Sequence, residues 1–369
     1  MIHILHVFGK TGRGGAESMI MNYYRCINKT QIQFDFVKHT EKECDFDEEI
    51  RSLGGRIYSV PRFTGVNYFN YHNSWNNLLR NHPEYKIIHV HHFKIAGIVN
   101  RIAKEIGVPV RIVHAHATKI EGGVFSRIIY KYLMKPLSLK YSNHYWACGQ
   151  VAGEHMFGNR NFYILRNAIP VKQFYYDENK RENTRKILNI DENAYVIGHV
   201  GRFSQPKNHF RIIEIFLEMS KCVKNTMLLL VGDGELKQNV KEKVCSLGLS
   251  DRVIFAGMRS DVYNILQAVD LFIFPSIFEG FCIAPIEAQA SGIPCVLSDV
   301  ISREVQLSDL VRFVSLNESN ERWVQIMISL KKEKIDRGEY NNIIIQSGYD
   351  IHANAIHLAE YYTKLQSML

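Results

Sequence analysis

Pro275-Ser276-Ile277-Phe278-Glu279-Gly280-Phe281-Cys282-Ile283-Ala284-Pro285-Ile286-Glu287-Ala288-Gln289-Ala290-Ser291-Gly292 reads as the end of a buried strand, a loop and the start of a helix. The apolar run before it stops at Pro275, the loop presents Glu279, and Gly280 lets the backbone come close to a ligand. A helix then opens near Ala284 and carries Glu287. Strand, loop and helix in this order form the unit of a parallel α/β sheet. Such sheets bind ligands at the carboxyl ends of their strands, which is where Glu279 falls. A carboxylate there accepts hydrogen bonds from vicinal sugar hydroxyls, and free amides at a helix start hold phosphate. Two glutamates eight positions apart, taken alone, more often cap a helix and pair with a surface cation. The surrounding Pro-Ser-x-x-Glu-Gly-Phe and the trailing Ala-Ser-Gly-x-Pro-Cys-Val decide for a ligand.

Short apolar runs with helix-length segments between them extend in both directions from this stretch. Upstream of residue 170 they fall at residues 2–8, 34–38, 56–60, 87–92, 111–116, 144–148 and 163–166. After the polar stretch 177–192, which reads as a linker or solvated helix, the cycle restarts at 196–200, 227–231, 253–255, 271–274 and 295–297. The chain therefore holds two βα series. A length of 369 residues also exceeds what one core usually organises. The expected division is an acceptor-binding domain over 1–170, a nucleotide-sugar domain over 171–350, and a C-terminal helix over 351–369. That helix is expected to turn Ala353, Ile356, Leu358, Ala359 and Tyr362 to one side and to pack near or onto the first domain.

Hydrophobic residues make up 46% and charged residues 22%, the balance of a globular chain, which excludes disorder. No run approaches the roughly 20 apolar residues of a spanning helix, and the N-terminus shows no cleavage site, so a cytoplasmic protein is expected. Seven scattered cysteines without a Cys-x-x-Cys pair indicate buried reduced thiols rather than disulfides or zinc. The net charge of +8 is uneven: residues 1–180 hold 24 Lys+Arg against 14 Asp+Glu, and the remainder holds 21 against 23. A basic first half suggests an anionic partner. Arg127, Lys131 and Lys135, with Ile128, Ile129, Tyr132 and Leu133 between them, suit a helix resting on anionic headgroups, and equally an ordinary amphipathic surface helix.

The Glu279 to Glu287 segment resembles the glutamate, seven residues, glutamate motif of family 4 retaining glycosyltransferases, which have the GT-B fold. The resemblance implies two facing Rossmann-like domains with parallel sheets and a nucleotide diphosphate sugar, most often a UDP-sugar, as donor. By that resemblance Glu279 holds the donor sugar and Glu287 the ribose hydroxyls. Amides of Gly280, Phe281, Cys282 and Ile283 line the sugar and diphosphate. Gly201-Arg202-Phe203-Ser204-Gln205-Pro206-Lys207-Asn208 is similar to the loop that opens the second domain of such enzymes. Arg202 and Lys207 are then the cations that clamp the diphosphate and stabilise its departure.

Gly12-Arg13-Gly14-Gly15-Ala16-Glu17 lacks the G-x-G-x-x-G spacing of a dinucleotide site and is instead similar to the family's Gly-Gly-x-Glu. This puts Gly14 and Gly15 at the donor, whereas a simple tight turn is the plainer reading. Twelve of sixteen histidines lie in the first half; His89 with His91, or His114 with His116, share a strand face but lack a third metal ligand. Family members place a histidine near the donor sugar, and His116 matches it better than His114. Met258 and Arg259 match a loop that touches the base. Asp45-Phe46-Asp47 spells the metal motif of a different glycosyltransferase fold, but its acid-rich surroundings make it a solvated stretch, so no metal is expected.

The implied activity is retaining, metal-independent transfer of a hexose or N-acetylhexosamine to a lipid-linked saccharide or polysaccharide in exopolysaccharide or capsule synthesis, with contact to the inner membrane face. A GT-B nucleotide-sugar epimerase is the alternative enzyme. A basic nucleic-acid binder is the alternative from another class, and no helix-turn-helix, aromatic RNA signature or zinc module supports it.

Overall fold

The computed structural model describes residues 1–116 and 123–369. The chain divides into two compact units, one of residues 1–168 with 351–369 and the other of 169–350.

The first unit is built on seven parallel strands: β1 (Ile2–Val7), β2 (Ile32–Lys38), β3 (Ile57–Ser59), β4 (Ile87–Val90), β5 (Val110–Ala115), β6 (His144–Ala147) and β7 (Tyr163–Ile164). They lie in the order β3-β2-β1-β4-β5-β6-β7. Alternation along each strand sends side chains to opposite faces, and both faces are covered. Leu5, Val7, Ile88, Val90 and Val113 pack with helices Tyr68–Asn81 and Phe93–Ile106. Ile4, Ile87, Ile112 and Trp146 pack with helices Gly15–Cys26 and Ile351–Ser367. The last helix thus belongs to the first unit's core.

That helix buries Ile351, Ala355, Leu358, Tyr362 and Leu365, whereas Ala353 and Ile356 face solvent. Spacing of four, three, four and three fixes the buried stripe, and Ala353 and Ile356 fall off it, which corrects the expected face.

The second unit repeats the plan with β8 (Tyr195–Val200), β9 (Thr226–Val231), β10 (Val253–Gly257), β11 (Leu271–Phe274), β12 (Cys295–Ser298) and β13 (Val311–Val314), in the order β10-β9-β8-β11-β12-β13. The sequence reading did not include β13. Of the two readings of 177–192 the helix holds and the linker does not: Asp177 caps the largely solvated helix Glu178–Ile187, and its buried Arg185 pairs with Asp270 at 2.8 Å. The thiols are free, but Cys222 and Cys245 are exposed rather than buried. Among the described residues no helix is long and apolar enough to cross a membrane.

Both sheets reverse direction beside their first strand, between β1 and β4 and between β8 and β11. A parallel sheet opens a ligand crevice at the carboxyl ends of such a pair.

Candidate functional site

In the second unit, the loops that follow β8 and β11 meet. The Ile277 amide donates to the Pro206 carbonyl at 2.8 Å, and Asn208 Nδ2 donates to the Pro275 carbonyl at 3.0 Å. Asn208 adopts a left-handed conformation, φ 58°, which its short polar side chain tolerates. This turn ends the Lys207 loop and starts helix His209–Cys222. Lys207 Nζ consequently lies 2.7 Å from Glu279 Oε1, with the two side chains 21% and 11% exposed. It also stands 4.7 Å from the centre of the Phe274 ring. Lys207 is the partner of Glu279 Oε1, and no other hydrogen bond to that oxygen is found among the described residues. A cation and a carboxylate so placed offer a phosphate-binding charge and a hydroxyl acceptor side by side.

Glu287 sits in helix Ala284–Ala290, with no ion pair or side-chain hydrogen bond among the described residues. Burial pushes its carboxyl up to about 7, so near neutral pH it is ready to exchange its proton for a ligand's hydroxyl bonds. Cys282 is buried between the two glutamates in sequence, and burial holds its thiol neutral, at about 12. Gly280, Phe281 and Ile283 are partly exposed beside it.

Arg202 does not join Lys207 and Glu279. Its guanidinium is exposed and bonds Glu235 Oε2 at 3.0 and 3.2 Å. The loop carrying it is nonetheless fixed, because Gly232 and Gly234, at φ 136° and 155°, press against it so closely that an added Cβ would come within 2.1 Å of the Gly201 carbonyl and 2.5 Å of the Phe203 carbonyl. Met258 is 56% exposed, and Arg259 is clamped by Asp261 at 2.8 Å.

In the first unit, the glycine loop after β1 is no tight turn of the positive-φ kind, since neither Gly14 nor Gly15 has positive φ. Glu17 folds back beneath Gly14, where a Cβ would meet its Oε2 at 2.2 Å, and Gly15 has nothing within 4 Å of a Cβ position. The glycines leave bare backbone at the end of β1. Burial raises the Glu17 carboxyl.

The Asp45-Phe46-Asp47 stretch is solvated at Asp45 but not at Asp47. Asp47 is fully buried and paired with Lys38 and Thr11, and Asp45 Oδ2 accepts the Arg13 amide at 3.1 Å. Both carboxylates hold the glycine loop, Asp47 as a buried charge that must be paired and Asp45 from the surface. Acidic composition alone hid this.

His116 directly follows β5 and His114 lies within it. Their neighbours were the larger omission: His6, His89, His91, His114 and His116 all project from one face of β1, β4 and β5. His91 bonds His6 at 2.9 Å and His116 at 2.8 Å; His89 bonds His114 at 3.1 Å and the Tyr362 hydroxyl at 2.7 Å. Burial pushes His6 and His116 down to about 3 and holds the other three well below the usual imidazole range, so all five are neutral. The pairs that seemed to lack a third ligand therefore have one: His6, His89 and His91 converge, as do His91, His114 and His116.

The family model described as Glycosyl transferases group 1 matches residues 180–350. EpsF of Bacillus subtilis is 30% identical over 367 residues, 97% of this chain and 96% of that protein. The Escherichia coli UDP-Gal:alpha-D-GlcNAc-diphosphoundecaprenol alpha-1,3-galactosyltransferase is 28% identical over 278 residues, 69% of this chain and 72% of its own. Among solved structures, Anabaena HepE in complex with UDP superposes with a TM-score of 0.79 at 17% identity, covering 99% of this chain and 100% of that one. That likeness is one of fold.

Proposed function

The chain belongs to the group 1 glycosyl transferases, and from that premise we propose that it moves a hexose or N-acetylhexosamine from a UDP-sugar to a lipid-linked saccharide in cell-surface polysaccharide synthesis. The observation that carries this reading is the Lys207–Glu279 pair at the carboxyl ends of β8 and β11. In the reading, the donor diphosphate takes Lys207 as its counter-ion, and Glu279, released, accepts hydroxyl bonds from the sugar. Glu287 accepts the ribose hydroxyls, and Arg202 leaves Glu235 to reach the diphosphate. Fixed cations and loop amides stabilise charge as the leaving phosphate forms, which is where such groups accelerate transfer most. That phosphate takes the acceptor's proton. Transfer then retains anomeric configuration and needs neither an enzyme nucleophile nor a metal.

The E. coli relative's lipid-linked acceptor and the UDP bound in HepE support the acceptor and donor classes. In the first unit, Tyr132 at 70% and Leu133 at 51% exposure stand beside Lys131, and this patch suits contact with an anionic membrane. A thermal-shift panel of nucleotide sugars tests the reading, since a ligand that binds only the folded chain raises its stability. UDP-sugars are expected to stabilise most. Stabilisation by none of them, or isomerised donor without acceptor, would contradict it, the latter in favour of an epimerase.

A further inference from the structure

Each of the strands β1, β4 and β5 turns apolar side chains to the helix Gly15–Cys26 face at its amino end and imidazoles at its carboxyl end: Ile4 then His6, Ile87 then His89 and His91, Ile112 then His114 and His116. Neutral imidazole in a folded core ordinarily spends one nitrogen as donor and the other as acceptor. Here the Nε2 of His114 is buried without a hydrogen-bond partner among the described residues, on a ring that is itself 0% exposed.

We propose that His91, His114 and His116 bind one divalent ion of the zinc class at the carboxyl end of β5. Their ligand atoms lie within 4.8 Å of one another. Nitrogens bound to one tetrahedral zinc at about 2.0–2.1 Å stand roughly 3.4 Å apart, so the His91–His116 contact opens by about half an ångström to admit the ion. Three neutral imidazoles without thiolate or carboxylate select zinc, cobalt, nickel or copper over magnesium or calcium.

The outer partners are in place too. His91 binds through Nδ1 and donates its Nε2 proton to His6, while His114 binds through Nε2 and donates its Nδ1 proton to His89, which Tyr362 holds from its other side. Such second partners fix the tautomer and orientation of a metal-bound imidazole. His116 is the partly exposed member and gives the ion its way in, with the fourth position left to water or an anion. Its ligands are not those of the Lys207–Glu279 pair, and its test does not use transfer.

Untagged protein titrated with Co2+ tests it by visible absorption. One Co2+ per chain with the bands of a tetrahedral site, displaced by Zn2+, and a raised melting temperature are expected. His114→Phe and His116→Gln should each abolish the bands, whereas His6→Gln, which alters only the acceptor of the His91 proton, should weaken Co2+ binding by about 10–100-fold and leave the bands at saturation. His116→Gln alters only a part-exposed residue just past β5, so it serves even if His114→Phe fails to fold. Absence of a stoichiometric complex, or bands that survive His116→Gln, would overturn the proposal.

Discussion

The two sheets share one strand order, yet they fill their switch points with opposite chemistry. Beside β8 and β11 stands an ion pair on loops, Lys207 with Glu279, partly open to solvent. Beside β1 and β4 stand neutral imidazoles inside the sheet, with a buried Lys38–Asp47 pair under the glycine loop. The lesson is that the topology supplies a place for a ligand twice, and side chains decide what the place is for. A part-exposed charge on a loop is available to a substrate. Buried charge and buried imidazole are committed to the fold or to a captive ion.

The largest way to break this contrast lies in the first unit. Asp47→Ala strands Lys38 in the core, and breaking a buried pair costs about 3–5 kcal/mol. Chemical denaturation should show that loss, whereas an unchanged midpoint would mean the pair is not buried in solution. The matching change in the second unit, Lys207→Ala, should leave the midpoint nearly unmoved and cut turnover by about 10²–10³-fold, the effect of removing one preorganised electrostatic group.

Glu287 provides a sharper, pH-dependent test. Its folded-state value of about 7 stands above the ordinary 4.5, so the folded chain holds a proton that the unfolded chain has released. Stability therefore falls as pH climbs from about 4.5 to about 7 and levels beyond it, by at most about 3 kcal/mol and by less in proportion to residual solvent access. Glu287→Gln should flatten that slope in melts taken across the range; an unaltered slope would assign it elsewhere. The smallest effect is expected for Tyr362→Phe, which removes one partner of His89 and costs about 1–2 kcal/mol.

The sequence made the second unit easier to read than the first for a physical reason. A ligand loop is contiguous, so Glu279, Gly280 and Glu287 announce themselves together, and Lys207-Asn208 does the same. A cluster inside a sheet is assembled across strands. His6 is 85 residues from His91, and only strand pairing brings them to 2.9 Å. Asp47 was misread for a related reason: an acid-rich run looks solvated until the fold supplies Lys38 from the neighbouring β2. The stripe of the last helix was misjudged because Ala353 and Ile356 are apolar without lying on the buried face, and β13 was missed because Arg312 interrupts its apolar run. Arg202 was identified as a clamp from its motif, and its bond to Glu235 depends on a residue from the loop after β9.

Calorimetric titration of UDP and of a stabilising UDP-sugar into the wild-type chain, Lys207→Ala and Glu279→Gln tests the central claim most directly. If Lys207 serves the diphosphate and Glu279 the sugar, Lys207→Ala weakens both ligands, and Glu279→Gln weakens the UDP-sugar while sparing UDP. Equal losses for both ligands in both variants, or no loss in either, would contradict the account.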